Sequence, residues 1–200
     1  MSEKQKEWSS VDDPHSCCQE VKRAQPELSM KTIIVLLGAV VAGVLPCVAM
    51  AETDRSAGDQ AFVNDAARGG EMEVKLGQLA EKNGSSATVK EFGSRMVKDH
   101  TRLNAELSAA AKSVGLTVPA TISSEQQAEY DKLAMLTGAK FDTAYIQTMV
   151  KDHIGDLAAF QKEAKATQDA KLKGAVETAI PVIEEHLKMA KNDSTKLAGR

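Results

Sequence analysis

The sequence predicts an all-α protein, an antiparallel four-helix bundle with one short extra helix before the third long helix. Three observations lead there. Four long segments carry apolar residues at alternating spacings of three and four, which marks one buried helix face. No segment alternates apolar and polar residues, and no hairpin turn joins β-branched runs. The stretch Met96-Val97-Lys98-Asp99-His100 returns letter for letter as Met149-Val150-Lys151-Asp152-His153, near the middle of two of those segments.

The chain opens on a polar, charged stretch, residues 1–29, that reads either as an over-called start of translation or as a disordered extension. Met30-Lys31, the apolar run Thr32 to Val48 and the small-x-small site Ala49-Met50-Ala51 then form a secretory signal peptide over residues 30–51. Cleavage is expected after Ala51, which places the mature protein in the periplasm. The run is short for a membrane span, so no stable membrane insertion is expected after cleavage. All three cysteines, Cys17, Cys18 and Cys47, precede that site, which excludes disulfides and thiolate metal sites downstream of it. A formal net charge of −3 gives no basic patch for nucleic acid.

Residues 52–58 read as a linker, and residues 59–196 as the bundle. The first helix is expected from about Asp59, its cap, to Lys82, with the stop Asn83-Gly84-Ser85-Ser86. Its stripe is Phe62, Ala66, Gly69, Glu73, Leu76 and Ala80, with Met72 and Leu79 alongside. The second begins at a Ser86 cap and runs to Val114, where Gly115 ends it. It carries Val89, Phe92, Met96, His100, Leu103, Leu107, Ala110 and Val114. Leu116 to Ser123, with Pro119, is a crossing loop. Ser123-Ser124-Glu125-Gln126 caps a short third helix to about Leu136, and Thr137-Gly138 breaks it. The fourth, from about Lys140 to Thr167, carries Phe141, Tyr145, Met149, His153, Leu157, Phe160 and Ala164. The fifth, from Asp169 to about Lys196, carries Leu172, Val176, Ala179, Ile183, His186 and Ala190. Pro181 interrupts its hydrogen-bond ladder and predicts a kink.

Short loops make consecutive long helices antiparallel, so residues equidistant from a turn lie side by side. His100 is then expected near Glu73, and His153 within about one turn, ~5 Å, of His186. All three histidines downstream of Ala51 fall in one middle layer. Asp99, Asp152, Glu73 and Glu185 bring carboxylates to the same level. Imidazole and carboxylate on facing helices are how bundles hold zinc, iron or manganese. Met96, Met149 and Met189 lie about one turn from the three histidines and would add thioethers suited to copper. The metal set is therefore His100, His153, His186, Glu73, Asp99, Asp152 and Glu185, with the two aspartates also able to orient imidazoles. Affinity is expected to fall as pH drops through the imidazole range near 6.5.

A metal-free reading stands beside it. Histidine on an apolar face is often a core group satisfied by a hydrogen bond, and methionine on a seam is often packing. The chain would then be a non-catalytic envelope or stress-related module. Acid–base catalysis by an Asp–His pair is a third reading, but no nucleophile, oxyanion device or phosphate loop accompanies the pair, so no complete catalytic constellation is present.

The repeated pentapeptide, the stretch Ala67-Arg68-Gly69-Gly70-Glu71-Met72-Glu73-Val74, and Ile180-Pro181 followed by His186-Leu187-Lys188-Met189-Ala190 carry a resemblance. The chain is similar, from about Gln60 to Asn192, to a ferritin-like family of exported bacterial proteins catalogued as a domain of unknown function. Its members are often labelled outer-membrane or periplasmic proteins. The resemblance implies a ferritin-like bundle in the cell envelope and no established activity. Di-iron ferritins use Glu-x-x-His, whereas Val97, Val150 and Ile183 stand three before the histidines here. The resemblance therefore does not extend to di-iron oxidase chemistry.

Overall fold

The computed structural model describes residues 46–199, with side chains from Ala57 onward. The expected extension and most of the expected signal peptide lie outside the described residues. Among the described residues all regular structure is α-helical: α1 (Pro46–Asn83), α2 (Ala87–Ser113), α3 (Ser124–Ala134), α4 (Gly138–Ala166) and α5 (Ala170–Ala198). None of these helices is long and apolar enough to cross a membrane.

The expected elements are all present, with shifted ends. α1 continues upstream of Asp59 through the residues expected to be a linker. Asp59 consequently does not cap it, and accepts a hydrogen bond from Thr167 Oγ1 at 3.1 Å instead. α3 ends before Leu136, at Ala134. Its N-terminus has the expected reciprocal box, in which Gln126 N donates to Ser123 Oγ and Ser123 N donates to Gln126 Oε1. Asp169 caps α5 by accepting from Lys171 N and Leu172 N. α5 runs on through Pro181, whose ring is exposed. Gly115 and Gly138 take φ of 82° and 63°, a region closed to most other residues.

Ser86 occupies the N-cap position of α2, but its side chain makes no cap hydrogen bond. The acceptor comes from another helix. Asp142 of α4, 1% exposed, accepts from Ser85 N at 3.0 Å, Ser86 N at 2.9 Å and Ser85 Oγ at 2.6 Å. Satisfying orphan donors and opposing the helix dipole are one act here.

Side-chain pairings fix the directions. Glu73 lies against His100 and His153, and Phe62 against Phe160, so α1 is antiparallel to both α2 and α4. His186 lies against His100 while Leu172 and Val176 cluster with Leu107 and Ala111, so α5 is antiparallel to α2, and the short connection after Ala166 makes it antiparallel to α4. α1 and α5 each touch both α2 and α4, while α3 packs beside α1 and α4. The chain therefore goes up, down, crosses over, goes down and returns up. α1 and α2 approach most closely where glycines face: a Cβ on Gly77 would stand 2.6 Å from Gly93 O, and one on Gly93 2.8 Å from Gly77 O.

Apolar clusters fill both ends. Leu76, Phe92, Met96, Phe141, Tyr145 and Met149 dominate one, and Val63, Leu107, Ala111, Leu172 and Val176 the other. Ala111 takes the buried place expected of Ala110, because a helix of 3.6 residues per turn drifts away from a strict seven-residue stripe. Leu103, Ala179 and Ile183 form a third, smaller cluster. The three histidines lie between the first cluster and this one.

Candidate functional site

Four helices deliver the site. His100 (α2), His153 (α4) and His186 (α5) are 5%, 0% and 0% exposed, and Glu73 (α1) is 4% exposed. The ring centroids form a nearly equilateral triangle, with sides of 5.2 Å (His100–His186), 5.5 Å (His153–His186) and 5.6 Å (His100–His153). The equidistance argument from the loops thus brings the right side chains together.

Each imidazole has one nitrogen turned outward to an acceptor. His153 Nδ1 donates to Met149 O at 2.9 Å, one turn back along α4. His186 Nε2 donates to Asp99 Oδ2 at 3.0 Å, and Arg95 holds the same carboxylate. His100 Nδ1 stands 2.9 Å from Glu73 Oε2. The opposite nitrogens are His100 Nε2, His153 Nε2 and His186 Nδ1. The first and last are 3.2 Å apart, and His153 Nε2 is buried with no hydrogen bond among the described residues.

The electrostatics follow from burial between apolar clusters. Loss of solvent pushes His100 down to about 4 against the pull of Asp156 and Asp99. His186 falls to about 4 for the same reason, against Asp99. His153 is lowered too, with Glu73 opposing. All three rings are therefore neutral at pH 7, and their protonation, expected near 6.5, moves to more acid pH. Burial drives Glu73 up to about 7, although His153 resists and Asp152 assists. Asp156 rises to about 8 through burial and then through its neighbours Glu73 and Asp152. Burial also works against a charged Asp99, but the bonds from Arg95 and His186 outweigh it and hold that carboxyl below its usual range.

The remaining expected residues divide. Asp99 orients an imidazole. Asp152 lines a cleft beside Glu73, and burial followed by the charge of Glu129 raises it to about 6. Glu185 lies outside the cluster: its side chain is 54% exposed and pairs with Arg95 at 3.3 Å. The heptad position beside His186 points Glu185 past the edge of the seam, toward solvent. Met96 and Met149 pack in the apolar cluster with Phe92 and Tyr145, and Met189 against it. Met149 serves the site through its backbone oxygen.

Two participants escaped the sequence reading. Asp156 groups with Glu73 and His153, with one ligand atom from each within 4.8 Å of the others. Its signal was the spacing of three from His153, which puts both on one face. Arg95 reaches Asp99 from one turn earlier, the i,i+4 spacing of a helical ion pair. A cavity of about 20 Å³ adjoins Glu73, His100 and Asp156 on the side of Leu103 and Ile183, room for about one water molecule.

No curated protein and no solved structure matches the chain. The family model for a domain of unknown function, DUF4142, matches residues 46–192, which is most of the chain and includes every residue of the buried cluster. The chain belongs to that family.

Proposed function

We propose that this protein is an exported, ferritin-like four-helix bundle that binds one divalent metal ion at His100, His153 and His186. The up, down, crossover, down, up path with one long connection is the ferritin-like course, and supports the fold part of the reading. The leader with its Ala49-Met50-Ala51 site supports export to the periplasm.

The observation that carries the metal reading is the disposition of the six imidazole nitrogens. Three are fastened outward to Glu73, Met149 O and Asp99. Of the others, His100 Nε2 and His186 Nδ1 face each other, and His153 Nε2 is buried without a hydrogen bond among the described residues. One nitrogen of each ring lies within 4.8 Å of the other two. Metal-bound histidines are held in this way, each donating its second nitrogen to a carboxylate or carbonyl. Two nitrogens on one tetrahedral ion with bonds of about 2.0–2.1 Å stand about 3.3 Å apart, and His100 Nε2 and His186 Nδ1 are 3.2 Å apart. His153 Nε2 supplies the third lone pair. Neutral imidazoles suit zinc, copper, iron or nickel, and a three-nitrogen site leaves a coordination position open for a substrate or for water. Buffering, storage or sensing of such an ion is the role we assign to the site.

Without metal the same residues close a hydrogen-bonded chain. Glu73, protonated, donates to His100 Nδ1, His100 Nε2 donates to His186 Nδ1, and His186 Nε2 donates to Asp99. In the binding form His100 carries its proton on Nδ1, so Glu73 must release its own. That chain also supports a structural reading, and the two differ in experiment. Zinc, manganese, iron(II) and copper are titrated against chelator-treated protein by thermal shift. Metal binding raises the melting temperature in proportion to its excess over the dissociation constant. His100→Ala, His153→Ala and His186→Ala each abolish that shift while the protein stays helical. No shift with any metal, and each variant destabilised by about 1–3 kcal/mol whether or not metal is present, would leave only the structural layer.

A further inference from the structure

A cleft of about 330 Å³ opens between α1, α3 and α4, and Asp65, Glu73, Glu129, Asp152 and Asp156 line it, with Lys151 the only cationic residue in the wall. Acidic surfaces are common, and the cluster alone would mean little. The floor of this one is different. Glu73 is 4% exposed, and no N–H or hydroxyl group among the described residues donates to its Oε1. The nearest imidazole nitrogen, His153 Nδ1 at 3.4 Å, has already given its hydrogen to Met149 O. Glu73 thus turns one oxygen to His100, and its carboxyl also pairs with that of Asp156, an arrangement that holds together only with a proton or a cation between the two. Oxygen atoms of Glu73 and Asp156 come within 4.8 Å of each other there. Two buried carboxylates side by side are costly unless a proton or a cation lies between them.

We propose that this cleft is a second cation site, with Glu73 and Asp156 as its inner ligands and Asp152 at its mouth, and that it takes a hard, oxygen-preferring divalent ion such as Mn²⁺. The assignment goes beyond the imidazole centre and stands without it, because the two donor sets select different ions. Three nitrogens favour zinc or copper, whereas carboxylates and water favour magnesium, calcium and manganese. Glu73 joins the two sites, one oxygen to each.

The test uses full-length, untagged protein stripped with chelator, loaded with one equivalent of Zn²⁺ and titrated with Mn²⁺, free Mn²⁺ being read by electron paramagnetic resonance. About one Mn²⁺ per chain binds while zinc stays in place. Asp156→Asn and Asp152→Asn each weaken Mn²⁺ binding by about tenfold or more and leave zinc content unchanged. His186→Ala removes zinc and leaves Mn²⁺ binding intact. Circular dichroism establishes that each variant is folded, and Glu129→Gln at the cleft mouth serves where Asp156→Asn does not fold. If zinc fails to bind, the Mn²⁺ titration of the stripped protein still stands, so failure of the imidazole centre is told apart from failure of the cleft. The proposal is overturned by no Mn²⁺ binding to the wild type at millimolar concentration. Equal affinity in the aspartate variants, or joint loss of both ions in His186→Ala, overturns it as well.

Discussion

Tyr145 carries one of the largest fully buried side chains, and its hydroxyl finds no hydrogen bond among the described residues. Its ring stacks on Phe141 at 5.5 Å and 11°, which the phenyl ring of phenylalanine would reproduce. An unsatisfied buried hydroxyl costs about 1–3 kcal/mol, so Tyr145→Phe should leave stability unchanged or raise it. Chemical denaturation of the pair decides, and a loss of stability would reveal a bridging partner for the hydroxyl. Period counting found the histidines because their angle around each helix matches that of the apolar residues flanking them. The same counting misplaced Glu185, which lies next to His186 in sequence but a quarter-turn away around the helix. It missed Asp156 because a carboxylate on a half-polar face looks like a solvated one until the neighbouring helices are in place.

Helix identity was legible throughout, because a long amphipathic stripe closed by Ser123, Asp169 or Gly115 leaves little room for another element. What the sequence hid was capping across helices. Ser86 is the N-cap residue of α2, as its sequence suggests, yet the carboxylate that holds Ser85 N and Ser86 N is Asp142, far away in the chain, and no local pattern announces it. Asp142 is buried with three hydrogen bonds to one loop, so removing it leaves the N–H groups of Ser85 and Ser86 without their partner. Asp142→Ala should cost about 2 kcal/mol or more, and Asp142→Asn less, since one acceptor oxygen survives. Melting temperatures of the two variants should rank in that order, and equal, negligible effects would show that water replaces the carboxylate. The upstream start of α1 was likewise hidden, because Gly58 and the polar residues around it suggested a linker. Gly77 and Gly93 carried no warning either, since only the contact between two helices makes their missing Cβ atoms necessary.

The apolar ends and the polar middle together set how the whole molecule responds to pH. Burial lowers the three imidazoles, so below 6.5 the unfolded chain gains protons that the folded one refuses. His100 and His186 therefore each remove stability as pH falls from 6.5 toward 4, at up to about 1.4 kcal/mol per pH unit, and His153 acts in the same direction. Glu73, Asp152 and Asp156 act in the opposite sense. The folded chain keeps their protons to about 7, 6 and 8, whereas the unfolded chain releases them near 4. They remove stability as pH rises through that interval. From pH 4 to 6.5 the two sets oppose each other and the profile should be shallow. Above 6.5 the rings are neutral in both states, and Glu73, Asp156 and Glu163, the last raised to about 7 by burial and its bond with Asp59, still hold protons that folding favours. Metal-free protein should therefore lose stability between pH 6.5 and 8, and Asp156→Asn, which has no proton to release there, should lose less. Urea midpoints of chelator-treated protein across that range measure the effect. A midpoint that holds steady or rises toward pH 8 would mean that Glu73 and Asp156 are already ionised in the fold, and that a bound cation or water stabilises them.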